Sequence, residues 1–294
     1  MKGVVSLLPA ATEIVCALGL RGALRGRSHE CDWPEGVDAL PVLTRARLDA
    51  RAPSGDIDRQ VRDLVARGEP LYLLDEDALA AADPEVVVTQ EACDVCAIAF
   101  PQVARSVRRV APRAAIVSLA PARLHDILGD VRTVAAACGV PARGEAVADE
   151  MAARLRSVAA AAPRLRVAVV EWLDPPMLAG HWMPDAVAAA GGIPLGPAPG
   201  ARSTTVSWDD LAALRPDALV VAPCGFDLDR TRAEAAPWRH RLRALAPRVL
   251  LVDGNAYFNR PAPRIVDATL ALARWLRGAN PCDARLLSLG ASTS

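Results

Sequence analysis

The chain has 294 residues, a hydrophobic fraction of 52%, and 34 basic side chains against 34 acidic ones. That much apolar material fills one large domain or two ordinary lobes, and the charge balance gives no general pull toward nucleic acid or an anionic membrane. No apolar run approaches the roughly 20 residues of a membrane-spanning helix, and seven cysteines, an odd number in a long chain, do not make the disulfide framework of a small secreted domain.

Val4–Leu8 is the first strand candidate, and Thr12–Leu20 follows as a helix. No basic, apolar and small-residue leader precedes that strand. The expected location is therefore the cytoplasm, or the periplasm if the numbering starts after a removed signal. Leu71–Leu74 is the next strand, Asp77–Ala82 a short helix, and Val86–Thr89 a fully apolar strand. Phe100–Val110 has helical periodicity and Ala115–Leu119 is again strand-like. Such alternation predicts a parallel sheet covered by helices.

From Pro121 the strand signals stop. Gly139-Val140-Pro141 divides a helical stretch in two, and the second part, Ala142–Ala162, predicts a helix about 30 Å long. Alternation then resumes with a strand at Arg166–Glu171, a helix at Pro184–Ala190, and a helix at Trp208–Leu214 with Ser207 as N-cap. Strands at Ala218–Ala222 and Leu250–Val252 and a helix at Pro263–Leu276 complete the pattern. The expected organisation is an α/β lobe over 1–120, a linker with a long helix over 121–162, a second α/β lobe over 163–278, and a flexible tail over 279–294. The lobes echo each other: Asp83-Pro84-Glu85-Val86-Val87-Val88 parallels Arg215-Pro216-Asp217-Ala218-Leu219-Val220-Val221. Ligands of open α/β sheets sit beyond the carboxyl ends of such strands, which directs attention to the loops after Val88 and Val221.

Those loops carry the chemistry. Cys93 and Cys96, two residues apart, make a metal-chelating or redox pair. Cys31 and Cys224 occupy comparable loops, with His29 as a further donor, and soft thiolates favour zinc, copper(I) or an iron–sulfur cluster. The alternative is that these thiols are compact buried hydrophobes, which suits Cys16 and Cys138. A neutral imidazole at His29 or His181 can ligate cobalt or iron, or simply make a loop hydrogen bond. Trp33, Trp172, Trp182, Tyr257 and Phe258 would wall a flat ligand, and Arg260 or Arg264 would meet its carboxylate or phosphate. No nucleophile triad, phosphate-cradling glycine loop or nicotinamide fingerprint is legible, so no enzymatic activity is expected.

Five segments add a resemblance. Ser6–Glu13 (SLLPAATE), Ser28–Pro34 (SHECDWP), Leu178–Trp182 (LAGHW), Ser207–Leu211 (SWDDL) and Arg260–Ile265 (RPAPRI) occur in this order. Together they resemble the substrate-binding components of vitamin B12 and iron-siderophore ABC importers. The resemblance implies two Rossmann-like lobes with parallel sheets, joined by one rigid helix, with cobalamin or a related corrinoid or metal chelate in the cleft between them. It implies a monomer that meets an ABC permease if exported, with Glu13 and Asp209 as the docking carboxylates. An intracellular branch holding an iron–sulfur cluster or zinc through Cys31, Cys93, Cys96 and Cys224 is the alternative.

Overall fold

A computed structural model describes residues 2–91, 100–158, 164–281 and 283–289. The chain divides into two compact units. Unit 1 comprises Met1–Ala52, Asp56–Pro121 and His125–Glu150; unit 2 comprises Pro53–Gly55, Ala122–Leu124 and Met151–Ser294.

In unit 1, β1 (Val4–Ser6), β2 (Leu24–Arg27), β5 (Val86–Gln90) and β6 (Ala115–Leu119) form a four-stranded parallel sheet in the order β2-β1-β5-β6. Val4, Val5 and Val86–Val88 are all inaccessible. Such β-branched runs suit strands covered on both faces. The helices are α1 (Pro9–Ala17), α2 (Ser54–Ala66), α3 (Glu76–Ala82), α4 (Phe100–Val110) and α5 (Leu124–Ala137). Val5, Leu43, Leu79, Val87, Val103 and Val107 form a core between the sheet, α3 and α4. A separate antiparallel pair joins β3 (Thr44–Ala46) to β4 (Tyr72–Leu74). Helix α6 (Pro141–Arg156) carries the chain from unit 1 into unit 2. It ends at Arg156, short of the expected Ala162, and 159–163 fall outside the described residues.

Unit 2 has a seven-stranded sheet ordered β10-β8-β7-β11-β12-β13, with β9 also pairing β7. Its strands are β7 (Arg166–Leu173), β8 (Pro176–Leu178), β9 (Ile193–Leu195), β10 (Thr204–Thr205), β11 (Ala218–Val221), β12 (Arg248–Val252) and β13 (Leu286–Leu289). β7, β9, β11 and β12 run parallel, while β8 and β13 pair antiparallel with β7 and β12, and β10 pairs antiparallel with β8. The α/β expectation holds, but this sheet is mixed. β13 also corrects the expected frayed tail, because residues 286–289 extend the sheet. The helices are α7 (Met183–Ala189), α8 (Trp208–Ala213), α9 (Leu228–Ala235), α10 (Arg239–Leu245) and α11 (Ile265–Leu276). The echo between lobes is structural. α3 and α8 each end at a left-handed non-glycine residue, Asp83 at φ 39° and Arg215 at φ 47°, before a proline and a buried strand.

Candidate functional site

The carboxyl ends of β7, β11 and β12 gather one set of loops in unit 2. The loop from β8 into α7 contains Ala179-Gly180-His181-Trp182. A Cβ on Gly180 would lie 2.3 Å from the Ala201 carbonyl oxygen, so only glycine permits this approach. The His181 amide donates to that carbonyl at 2.6 Å, and the His181 carbonyl accepts from Gly200 at 2.9 Å. These bonds hold His181 at φ 51°, an uncommon conformation that recurs at functional sites. Its half-buried imidazole has a lowered pKa, through burial first and the Arg202 charge second, so it is neutral at pH 7.

Trp182 stands beside it, with ring centroids 5.8 Å apart. Its Nε1–H donates to the Phe258 carbonyl at 2.6 Å. After β11, the Cys224 amide donates to the Glu171 carbonyl at 3.1 Å. Phe226 packs on Trp172 at 5.2 Å, and the Arg230 guanidinium lies 3.6 Å above the Phe226 ring. That stack sets a cation on an aromatic shelf. After β12, Asp253 accepts from the Ala256 amide at 2.7 Å. Burial raises its pKa and the Asp227 charge adds to this, opposed by the Ala256 amide bond and then by Arg260 and Arg285. A Cβ on Gly254 would sit 2.1 Å from the Pro223 carbonyl oxygen, so this loop is pressed onto the one after β11. Asn259 reinforces that contact by donating to the Ala222 carbonyl at 2.8 Å.

Unit 1 has its own loops at the carboxyl ends of β1 and β2. Arg27, 9% exposed, donates to the carbonyls of Ser28, Cys31 and Asp38 at 2.9–3.1 Å, and so shapes the turn that follows. His29 bonds Thr44 twice, through its amide at 3.0 Å and Nδ1 at 2.7 Å, and lies 5.1 Å from the Tyr72 ring. Burial, then the Arg27 charge, lowers its pKa. Thr12 Oγ1–H donates toward Ser6 Oγ at 2.8 Å and Cys31 Sγ at 3.0 Å, and Ser28 Oγ is 3.2 Å from the same sulfur.

The sequence profile of the periplasmic binding protein family matches residues 4–236. The chain belongs to the periplasmic binding protein family. No curated protein matches the sequence. Among solved structures, a periplasmic haem-binding protein from Pseudomonas aeruginosa is similar with a TM-score of 0.75, 21% identity, and coverage of 100% of this chain and 99% of that one. The periplasmic haem-binding protein of Roseiflexus sp. RS-1 gives 0.68, 21% identity, and coverage of 94% and 98%. The periplasmic vitamin B12 binding protein of Vibrio cholerae gives 0.67, 18% identity, and coverage of 94% and 96%. At these identities the likeness speaks for the fold. None of these comparisons supports the cytoplasmic expectation.

The geometry sorts the expected site residues of this periplasmic binding protein. His181 and Trp182 are half-exposed on the loop after β8, Trp172 is half-exposed near the carboxyl end of β7, and Trp33 is 38% exposed in unit 1. Tyr257, Phe258 and Arg260 are not on the surface. They are 4%, 2% and 6% exposed, and Arg260 donates to Asn255 Oδ1 at 2.6 Å. Their expected ligand contact is therefore corrected to a supporting role. Glu13, expected at a docking surface, is 4% exposed, because α1 turns residues 10–15 inward. Asp209 is exposed.

Cys93 and Cys96 lie outside the described residues. Cys31 is 2% exposed in unit 1, held by the Thr12 and Ser28 hydroxyls, and Cys224 is half-exposed in unit 2. Among the described residues no group of three or more His, Cys, Asp or Glu side chains is placed to hold a metal ion. Sequence reasoning missed Arg27, Thr44, Phe226, Arg230 and Asp253. Phe226 lay inside a segment singled out only for its cysteine. An aromatic followed four residues later by an arginine, across an Asp N-cap, was the available signal.

Proposed function

We propose that this periplasmic binding protein carries a metal-centred macrocycle of the corrinoid or haem type. It acts outside the cytoplasmic membrane as the substrate-binding component of an ABC importer. The carrying observation is His181, a neutral imidazole on a loop fixed by backbone bonds and flanked by Trp182. A neutral imidazole is the protonation state that ligates cobalt or iron. The similar solved structures, binders of vitamin B12 and of haem, suggest the ligand class. Half-exposed Trp172 offers apolar surface of the kind such a ligand requires, backed by the buried Phe226 ring, and the half-buried Arg230 guanidinium over that ring adds a cation. Exposed Asp209 is a docking carboxylate for the permease in this reading.

The test is titration of the purified protein with hemin and with cyanocobalamin, followed by visible absorbance and tryptophan fluorescence. Binding of at least one with a micromolar or lower Kd is expected. For hemin, His181→Ala should shift the absorbance maximum and weaken binding on the order of tenfold, about 1.4 kcal/mol. Failure of both macrocycles to bind would end the proposal.

A further inference from the structure

The last described segment of the chain reaches into the candidate site. β13 pairs antiparallel with β12, Leu286 opposite Val252 and Leu287 opposite Leu251. Beyond the strand, the Asp253 amide donates to the Arg285 carbonyl at 2.9 Å. The turn at Asp283 is locked locally. Its Oδ1 accepts from the Arg285 amide at 2.9 Å, and its carbonyl accepts from the Leu286 amide at 3.0 Å. That leaves Oδ2 aimed at Tyr257, whose hydroxyl donates to it at 2.5 Å. The Arg285 guanidinium lies 5.3 Å from the same ring. Farther along, Ser288 Oγ accepts from Trp275 Nε1 at 2.7 Å and holds the strand against α11.

Tyr257 is where this contact meets the site. It precedes Phe258, which sits at φ 68° and whose carbonyl takes the Trp182 indole hydrogen. Trp182 neighbours His181. An unbroken set of bonds thus runs from Asp283 through Tyr257 and Phe258 to Trp182.

We infer that β13 is a brace for the loop 253–260, and that Asp283 is the positioning residue that fixes Tyr257 and, through it, the Trp182 side of the site. Its effect on ligand binding rests on the function proposed above; the brace itself does not. The chemistry requires the pairing to be specific. A buried phenol that loses its acceptor costs more than one whose hydroxyl is removed together with that acceptor.

The experiment uses the full chain without ligand and follows amide hydrogen exchange over residues 254–260. Asp283→Ala should speed exchange there roughly tenfold or more. Tyr257→Phe in the Asp283→Ala background should return exchange close to the level of Tyr257→Phe alone. Asp283→Asn, which keeps one acceptor oxygen where the carboxylate uses two, should fall between Asp283→Ala and wild type. A second readout is the ultraviolet titration of the phenols, of which there are two in the sequence. Tyr257 is pushed up to about 12 by burial, then by the bond and charge of Asp283, with Arg285 opposing and Asp267 adding slightly. Asp283→Ala should bring that transition down. Unchanged exchange and an unchanged phenol titration in Asp283→Ala would overturn the brace, whatever the protein binds. If the exchange responds and hemin and cyanocobalamin both fail to bind, the brace stands and the proposed ligand falls. If one binds, its dissociation should be faster from Asp283→Ala, and an unaltered dissociation rate would overturn the positioning role.

Discussion

Asp130, on α5, is a carboxyl group held against its own charge. Its Oδ2 is buried and has no partner among the described residues. Burial, and then the charge of Asp126 one helical turn earlier, push its pKa up to about 7. In the unfolded chain the group ionises near a pKa of about 3.9. Between those values the folded state binds more protons than the unfolded state, so Asp130 lowers stability as pH rises through that window. His29 and His181 act with the opposite sign. Their lowered pKa values give stability that is complete above about 6.5 and lost as pH falls below it. The prediction is that Asp130→Asn raises the urea midpoint at pH 8 more than at pH 4.5. Equal shifts at the two pH values would show that the carboxyl pays no such ionisation cost.

At the scale of elements, α8 shows how local sequence places a loop. Ser207 and Asp210 form a reciprocal capping box, with the Asp210 amide donating to Ser207 Oγ at 3.0 Å and the Ser207 amide to Asp210 Oδ2 at 3.1 Å. Its counterpart α3 is capped by Asp75, which accepts from the Ala78 amide at 2.9 Å. For a helix of six residues such caps weigh heavily. Ser207→Ala should cost about 1 kcal/mol in global stability, measured by urea unfolding, and a loss near zero would mean that packing of Leu211 alone holds α8.

The Ser207 cap, the β-branched run at Val86–Val88 and the proline turns before β5 and β11 were legible in the sequence, because each is decided within a few neighbouring residues. β8, β10 and β13 were not. They are two to four residues long, and their pairing is set by the edges of an existing sheet. The candidate site divides the same way. The loop bearing Cys224 followed from the end of the Ala218–Ala222 strand, and those bearing His29 and His181 stood out through the SHECDWP and LAGHW segments, whereas the inward packing of Tyr257, Phe258 and Arg260 depends on Asp283, Asn255 and Trp182. An aromatic or an arginine in a loop looks the same in sequence whether it faces ligand or core.

For the whole molecule, the decisive fact is how often the chain changes unit. Each unit has its own core, around Val5, Leu79 and Val87 in one and Leu211, Leu219 and Leu242 in the other. Separate cores alone would allow separate transitions. Yet Pro53–Gly55 and Ala122–Leu124, both flanked by unit 1 sequence, belong to unit 2. Ser54 Oγ donates there to Glu234 at 3.0 Å. Arg123 makes a forked pair with Asp185 at 2.6 and 2.8 Å, and the Leu124 amide adds a third bond at 3.1 Å. Melting unit 2 frees these segments, and with them the starts of α2 and α5. Unfolding should therefore be coupled. The tryptophans allow a direct check, because Trp33 belongs to unit 1 and Trp172, Trp182, Trp208, Trp238 and Trp275 to unit 2. Fluorescence thus reports chiefly on unit 2, while far-ultraviolet circular dichroism reports on both. Coincident urea midpoints by the two probes are expected for the wild type. Arg123→Ala together with Ser54→Ala should separate them, with the fluorescence transition moving less than the dichroism transition. Two well-resolved midpoints in the wild type would show instead that these segments leave the units thermodynamically independent.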